Sequence, residues 1–177
     1  MKENILFCIF LLLAINIANA QTIQTVSSGF DKSKLEFGGT LGFSYGNSKI
    51  GGESTSLNIS PEVGYRFSEF FRAGAGLSYI YRGYSDYDFS ENYAGLTLYG
   101  RFFPIKNLIL LAEPELYRIW GKNFDNRFVP ALLFGGGAYI PLATGAVSFT
   151  LSYDVLQNEY SPYYNRLIYT IGYVFCF

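Results

Sequence analysis

The sequence contains no histidine, and charged residues make up only 15% of its 177 residues. The absence of histidine removes the commonest general base and the commonest metal ligand of proteins. Soluble domains carry about a quarter of charged residues, so this content is low for a surface that faces water. The formal net charge of −1 provides no basic surface, and we expect no nucleic-acid partner.

Cysteine is also scarce, since Cys8 and Cys176 are the only two in the chain. Cys8 lies in an apolar N-terminal stretch that we expect to be removed, so Cys176 has no partner for an intrachain disulfide. A single cysteine in a chain without histidine is also poorly suited to act as a catalytic nucleophile. We therefore expect no enzyme activity, no metal site and no cofactor.

The first twenty residues have the pattern of a secretory signal peptide. Lys2 gives a basic start, residues 5–17 are almost continuously apolar, and Ala18-Asn19-Ala20 supplies a small-residue cleavage site. An N-terminal membrane anchor is the alternative, but the apolar run is short for a spanning helix. The predicted division is a signal peptide over residues 1–20, a short periplasmic segment over residues 21–33 and a barrel domain over residues 34–177.

From residue 34 onward, apolar and polar residues alternate with the period of two that is typical of β-strands. We predict eight strands of about ten or more residues, which is long enough to cross a bilayer at the usual tilt. The sixth strand, residues 129–140, is ambiguous because both of its faces are apolar or glycine. For this strand we expect Leu132, Phe134, Ala138 and Ile140 to point outward, and Gly135, Gly137 and Tyr139 to point inward.

The connections between these strands alternate in length. Residues 68–70, 104–107 and 141–146 are short, whereas residues 46–54, 83–92, 121–127 and 156–165 are longer and more polar. In outer-membrane barrels the short turns face the periplasm and the longer loops face outward, which here places both termini in the periplasm. The predicted fold class is all-β: an eight-stranded antiparallel up-and-down transmembrane β-barrel in the outer membrane, surrounded by its lipids.

A secreted soluble barrel of the lipocalin kind would show the same alternation with its apolar face inward. The polar face of this chain is rich in glycine, serine, threonine and tyrosine, which suits a narrow lumen better than a soluble exterior. Lysines lie in or next to turns, loops and terminal segments, as expected if the strands carry a lipid-facing surface. Aromatic residues crowd the strand ends, where they could form two interfacial girdles. These features favour the membrane barrel.

The last segment, residues 167–177, ends in phenylalanine and has apolar or aromatic residues at alternate positions before it. It resembles the C-terminal signal of outer-membrane barrels, carried here by Tyr169, Ile171, Tyr173, Phe175 and Phe177. Over residues 34–177 the chain is similar in architecture to the small bacterial outer-membrane β-barrel superfamily that includes the OmpA transmembrane domain and OmpX. This resemblance implies that the barrel-assembly machinery is a partner during biogenesis.

The clearest candidate site is a set of charged residues on the predicted inner face. The set comprises Glu36, Glu62, Arg66, Arg72, Arg82, Arg101, Glu113, Glu115 and Asp154. The interior of an eight-stranded barrel is only wide enough for side chains, and buried charges must pair or cost several kcal/mol. We expect a structural network that fills the lumen. A narrow porin-like channel or a carrier for small or apolar solutes is the alternative, and an acid/base pair formed by Glu113 and Glu115 is a third.

A second candidate lies in the predicted loop over residues 83–92, which is rich in aromatic and acidic residues. It contains Tyr84, Asp86, Tyr87, Asp88, Phe89 and Glu91, and Tyr160, Tyr163 and Tyr164 of the last loop could extend the same exposed surface. Such a surface could bind an unknown extracellular ligand or a cation, whereas the alternative is a merely solvated loop. The sequence therefore favours a barrel with a structural or surface-interaction role.

Overall fold

The computed structural model describes residues 31–47, 53–84, 90–121 and 127–176. The predicted signal peptide and residues 21–30 lie outside the described residues. A short 3-10 helix, Lys32–Lys34, precedes the first strand, and the carboxylate of Asp31 caps it by accepting a hydrogen bond from the Ser33 amide. No helix in the described part of the chain has the length and apolar character needed to cross a bilayer.

Eight strands form one closed barrel in which each strand pairs with its neighbours in chain order. The strands are β1 (Leu35–Asn47), β2 (Glu53–Arg66), β3 (Phe71–Tyr84), β4 (Ser90–Ile105), β5 (Leu108–Gly121), β6 (Arg127–Leu142), β7 (Gly145–Asp154) and β8 (Leu167–Cys176). Every pairing is antiparallel, and β8 returns to β1 to close the barrel, with Glu36 opposite Cys176. The predicted eight-stranded up-and-down fold is confirmed.

The alternation of the sequence becomes two different faces of the barrel wall. On β1, Phe43 points outward and is 44% exposed, whereas its neighbour Ser44 points into the lumen and is 1% exposed. The ambiguous sixth strand follows the same rule, because Phe134 and Ile140 are exposed and Tyr139 between them is buried. The apolar residues of the strands therefore cover the outside of the barrel over its full circumference, as the membrane interpretation requires.

The two ends of the barrel differ. At one end, here called the turn end, β1 begins, β8 ends, and short connections join β2 to β3, β4 to β5 and β6 to β7. The other connections lie at the opposite end, here called the loop end. The strands extend further into the predicted loops than expected: β3 continues to Tyr84 and β4 begins at Ser90, so only residues 85–89 separate them. The predicted loop boundaries of residues 83–92 were therefore wrong.

The lumen is filled, but it is less uniformly polar than the sequence suggested. Toward the loop end, a cluster of buried residues joins five strands and the last loop: Ile80, Tyr93, Tyr117, Ile119, Val129, Ala131, Leu133, Tyr163 and Ile168. A smaller cluster toward the turn end contains Phe103, Ile109, Tyr139 and Ala146. The charged residues of the lumen are therefore packed against apolar and aromatic side chains, which exclude water from their contacts.

Candidate functional site

The nine predicted lumen charges all lie on inward-facing strand positions, and the structure groups most of them into separate networks. Toward the turn end, Arg101 lies at the centre of one such network. Its Nη2 atom donates to both carboxylate oxygens of Glu62, at 2.7 and 2.9 Å, and lies 3.5 Å from Oε1 of Glu113. The guanidinium also stacks over the ring of Tyr99, 4.0 Å from its centroid. One buried arginine on β4 therefore compensates a carboxylate on β2 and another on β5.

Arg72 and Glu36 form a second ion pair, with Nη1 and Oε1 3.1 Å apart. The Arg72 guanidinium also donates to the hydroxyl of Tyr139 and lies 4.6 Å from the ring centroid of Phe103. These contacts close the lumen just inside a vestibule of about 400 Å³ at the turn end. Its walls are formed by Glu69, Phe70, Arg72, Phe103, Ile105, Lys106, Tyr139 and Pro141.

Arg66 does not join either network, although the sequence grouped it with them. It lies at the last position of β2, and its Nη2 atom donates to the carbonyl of Ser33 at 3.4 Å. Among the described residues, its contact therefore ties the short N-terminal helix to the rim of the barrel. This arginine contributes to the turn end rather than to the filling of the lumen.

At the loop end, Arg82 and Glu91 form a third buried ion pair, with Nη1 and Oε2 3.2 Å apart. Tyr93 donates to the same carboxylate oxygen at 2.6 Å. The sequence placed Glu91 and Tyr84 in an external loop, but both belong to strands and both are buried. They were assigned to a loop because the local composition is rich in aspartate and tyrosine. The strand alternation nevertheless continues through both residues.

The connection between β7 and β8, residues 155–166, folds back into the mouth of the barrel. Ser161, Pro162 and Tyr163 are all buried, with Tyr163 only 1% exposed. Arg82 holds this segment by donating to the Ser161 carbonyl at 2.8 Å. The prediction that Tyr163 lies on an exposed surface is wrong, because the lumen-facing strand residues leave room for its ring.

Asp154, at the end of β7, anchors the start of this inserted loop. Its Oδ1 atom accepts hydrogen bonds from the amides of Leu132 and Leu156, both at 3.1 Å. Its Oδ2 atom accepts one from the Ser161 hydroxyl at 2.8 Å. Asp154 is fully buried, and these backbone and hydroxyl donors stabilise its carboxylate.

The Tyr163 hydroxyl completes a closed ring of hydrogen bonds around the middle of the lumen. Starting from Tyr163, the ring passes through Asn58, Ser60, Ser78, Thr97, Glu115 and Tyr117 and returns to Tyr163. The individual donor–acceptor distances lie between 2.6 and 3.1 Å. The ring connects β2, β3, β4 and β5 to the inserted loop.

Glu113 and Glu115 therefore have different roles, although they are two residues apart on one strand. Glu113 belongs to the ion pairs of Arg101, whereas Glu115 accepts from Thr97 at 3.1 Å and from Tyr117 at 2.7 Å. The two carboxylates are held by separate groups of donors and do not converge on a shared substrate position. Among the described residues, no group of three histidine, cysteine, aspartate or glutamate side chains is arranged to hold a metal ion.

Arg166 follows the inserted loop and is a lumen residue that was not predicted from the sequence. It is buried and donates to the Ser54 hydroxyl and, at 3.4 Å, to the Ser54 carbonyl. Burial, together with the nearby charge of Arg82, lowers the pKa of Arg166 to about 10. Arg166 directly precedes the regular alternation of β8, and arginine at an inward position is typical of this lumen. This position was the signal from which its place in the lumen could have been predicted.

Part of the predicted external surface lies within the described residues. Tyr160 is exposed and its ring lies 4.1 Å from the guanidinium carbon of Arg127, and Tyr164 is half-buried. Asp86, Tyr87, Asp88 and Phe89 lie outside the described residues. In the predicted C-terminal signal, Tyr169, Ile171 and Phe175 are exposed on the outer face of β8 and Tyr173 is half-buried, whereas Phe177 lies outside the described residues.

No protein-family model matches the chain, and no curated protein matches it. Several solved structures do match it. Neisserial surface protein A is 15% identical, with a TM-score of 0.50, and the match covers 81% of this chain and 97% of that one. A de novo designed transmembrane β-barrel (10% identity, TM-score 0.48, 82% and 97% covered) and the Yersinia pestis outer membrane protein Ail (16%, 0.45, 79% and 99%) are also similar. With its closed eight-stranded topology, the chain has the fold of the small outer-membrane β-barrels.

Proposed function

We propose that this protein is an outer-membrane β-barrel, exported through its N-terminal signal peptide. The support is the outer surface, where large apolar side chains occupy the outward positions of every strand. Leu41, Leu77 and Leu96 are each more than 60% exposed, a degree of exposure that is unfavourable in water and favourable in lipid. A soluble lipocalin-like barrel would bury these residues in its interior.

The proposed orientation places the turn end and both termini in the periplasm and the loop end outside the cell. Short turns at one end and longer connections at the other are the usual arrangement of such barrels. We further propose that the barrel-assembly machinery recognises the C-terminal strand through Tyr169, Ile171, Tyr173, Phe175 and Phe177. Deletion of Phe177 should then lower the amount of folded protein in the membrane without affecting its export.

Within the membrane, we propose a structural or surface-interaction role and not transport. The observation that carries this proposal is Tyr163, which the last loop inserts into the lumen and which the hydrogen-bonded ring holds there. Below it, the Arg101 and Arg72 networks fill the remaining cross-section toward the turn end. An ion crossing the barrel would have to displace at least two of these networks.

Single-channel recordings in planar bilayers test the closed lumen. The purified protein should give no steady conductance, although heat-modifiable migration on gels shows that it is folded. Tyr163→Ala removes the side chain from the lumen. Tyr160→Ala in the same loop removes an exposed ring that contacts Arg127 and is the matched control. Steady conductance steps in the unmodified protein that disappear when Arg101 or Glu62 is replaced would establish the channel and refute our proposal.

The membrane location and the outside partner need separate experiments. The protein should be found in the outer-membrane fraction, and its recovery from the soluble periplasm would refute the proposed location. We propose that any extracellular ligand contacts the loop end, near the exposed Tyr160 and its partner Arg127. Binding of intact cells to candidate surfaces should then weaken in Tyr160→Ala and stay unchanged in Ser68→Ala, which alters a turn at the opposite end.

A further inference from the structure

The vestibule at the turn end has the size of a small-molecule site. It has a volume of about 400 Å³ and lies between the β2–β3 turn, the β4–β5 turn and the end of β6. All three of these segments belong to the described part of the chain. Binding sites for small molecules are usually clefts of about 300–1,000 Å³, so one small ligand fits into this cavity.

Backbone hydrogen bonds hold the walls of the vestibule together. The amide of Phe103 donates to the carbonyl of Phe70 at 2.9 Å, which connects the β2–β3 turn to β4. The amide of Tyr139 donates to the carbonyl of Asn107 at 2.9 Å, which connects the β4–β5 turn to β6. The rings of Phe103 and Tyr139 also pack edge to face, with their centroids 4.8 Å apart. A preformed cavity of this kind can bind a ligand without the entropic cost of ordering its walls.

Arg72 lies at the floor of the vestibule, and one edge of its guanidinium has no partner in the protein. Its hydrogen bonds within the described residues, to Glu36 and Tyr139, all involve Nη1. Its Nε atom is buried without a hydrogen-bond partner. Nε and Nη2 carry the two parallel N–H groups that donate to both oxygens of a carboxylate in a bidentate pair. Because Arg72 lines the cavity and its side chain is 14% exposed, this edge is the available position for a ligand carboxylate.

Apolar and aromatic side chains form most of the remaining wall. These residues are Phe70, Phe103, Ile105, Tyr139 and Pro141. The other two lining residues, Glu69 and Lys106, are exposed, and neither forms an ion pair with a described residue. The vestibule therefore combines an apolar wall with a positive charge at its floor and a second one at its opening.

We propose that the vestibule binds a small molecule that carries one carboxylate on an apolar, aromatic body. The carboxylate accepts from the Nε and Nη2 edge of Arg72, and Lys106 attracts it at the opening. The aromatic body packs against Phe70 and Phe103, while the charge of Glu69 disfavours a second carboxylate on the ligand. The binding follows from the cavity itself, and only its location on the periplasmic side rests on the proposed function.

Titration of the full mature protein with benzoate tests the site. Isotope-labelled protein in phosphatidylcholine nanodiscs should show saturable shifts of the amide signals of Glu69, Phe70 and Lys106, and no shift of Tyr160 at the loop end. Benzamide has the same aromatic body without the charge, and we expect it to bind at least about tenfold more weakly, the usual effect of losing a hydrogen bond to a charged group. Acetate, which lacks the aromatic body, should also bind more weakly than benzoate.

Two variants change the proposed contacts with the carboxylate. Arg72→Lys keeps the charge but removes the planar fork, and it should weaken benzoate binding by about tenfold. Lys106→Glu alters an exposed turn residue outside the lumen networks, so folding is preserved. It should weaken benzoate binding by about fivefold, the upper range for an exposed charge, and leave benzamide binding unchanged. Lys32→Glu is the matched control, because Lys32 lies on the short helix at the same end but does not line the cavity.

Several outcomes would overturn the proposal. These are the absence of saturable shifts in the vestibule, equal affinities for benzoate and benzamide, equal affinities for benzoate and acetate, and a benzoate affinity that is unchanged in Lys106→Glu. Should Arg72→Lys fail to fold, the comparison of Lys106→Glu with Lys32→Glu decides the question. A protein that does not enter the nanodiscs as a heat-modifiable barrel contradicts the membrane assignment, whereas a folded barrel that does not bind benzoate contradicts only the vestibule site.

Discussion

Arg82 and Glu91 lie directly opposite each other on β3 and β4, and their side chains form an ion pair of 3.2 Å inside the lumen. The same guanidinium donates to the Ser161 carbonyl of the last loop at 2.8 Å. One arginine therefore links the pairing of two strands to the position of the inserted loop. Removal of its carboxylate partner should affect both, since the guanidinium would remain buried without compensation.

Glu91→Ala should lower the free energy of unfolding by about 3–5 kcal/mol, the usual cost of leaving one member of a buried ion pair alone. Urea unfolding in detergent, followed by tryptophan fluorescence, measures this change. Glu53→Ala is the control, because Glu53 lies at the same end of the barrel but is exposed, and it should change stability by less than about 0.5 kcal/mol. Similar stabilities of the two variants would contradict a structural role for the Arg82–Glu91 pair.

Tyr163→Phe should release the inserted loop without emptying the space that the ring fills. The substitution removes the hydroxyl that joins Asn58 and Tyr117, and leaving the part-buried amide nitrogen of Asn58 without this acceptor costs about 1–3 kcal/mol. Limited proteolysis should then cut within residues 155–166 more rapidly than in the unmodified protein. Tyr160→Phe in the same loop should leave the cleavage rate unchanged, and equal rates for all three proteins would show that the ring does not hold the loop.

Gly137→Ala should be strongly destabilising, because an added Cβ would lie 1.9 Å from the carbonyl oxygen of Phe149 on the neighbouring strand. The β6–β7 pairing would have to shift, at a cost of about 1–3 kcal/mol. Gly100→Ala is the matched control, since its Cβ would meet only the Phe71 ring at 3.7 Å. The fraction of heat-modifiable barrel after refolding compares the two, and equal yields would argue against this close approach of β6 and β7.

The pKa of Asp31, at the turn end of the barrel, leads to a testable prediction. The hydroxyl of Ser33, at 2.7 Å, and then its amide, at 3.0 Å, donate to the Asp31 carboxylate and hold its pKa below the ordinary value of 3.8. Since the folded state lowers this pKa, the cap stabilises the helix above the unfolded pKa and its contribution is lost as the pH falls through the folded one.

Ser33→Ala should therefore raise the pKa of Asp31 toward its ordinary value, as measured by NMR titration of the labelled carboxyl carbon. The remaining amide donor should keep part of the decrease. Ser68→Ala, in the turn between β2 and β3, removes a hydroxyl that contacts other amides and should leave the titration of Asp31 unaltered. An unchanged pKa in Ser33→Ala would show that the hydroxyl bond is not formed in solution.

The architecture could be predicted from the sequence because the physical rule behind it is local. In a β-strand successive side chains point to opposite faces, so a period of two assigns each residue to lipid or lumen without any knowledge of its neighbours. The facing of Phe134 and Tyr139 on the ambiguous sixth strand could be predicted in this way. The number of strands and the alternation of short and long connections then required the closed up-and-down order.

The pairing of the lumen residues and the closure of the barrel mouth depend instead on tertiary contacts. Glu91 and Tyr84 resembled loop residues by composition, but β3 and β4 continue far enough for both to be buried. Tyr163 resembled an exposed loop residue, but its hydroxyl completes a ring of donors and acceptors supplied by four strands. Strand periodicity encodes which face a side chain occupies, whereas the height at which residues of different strands meet depends on the register and on closure of the whole barrel.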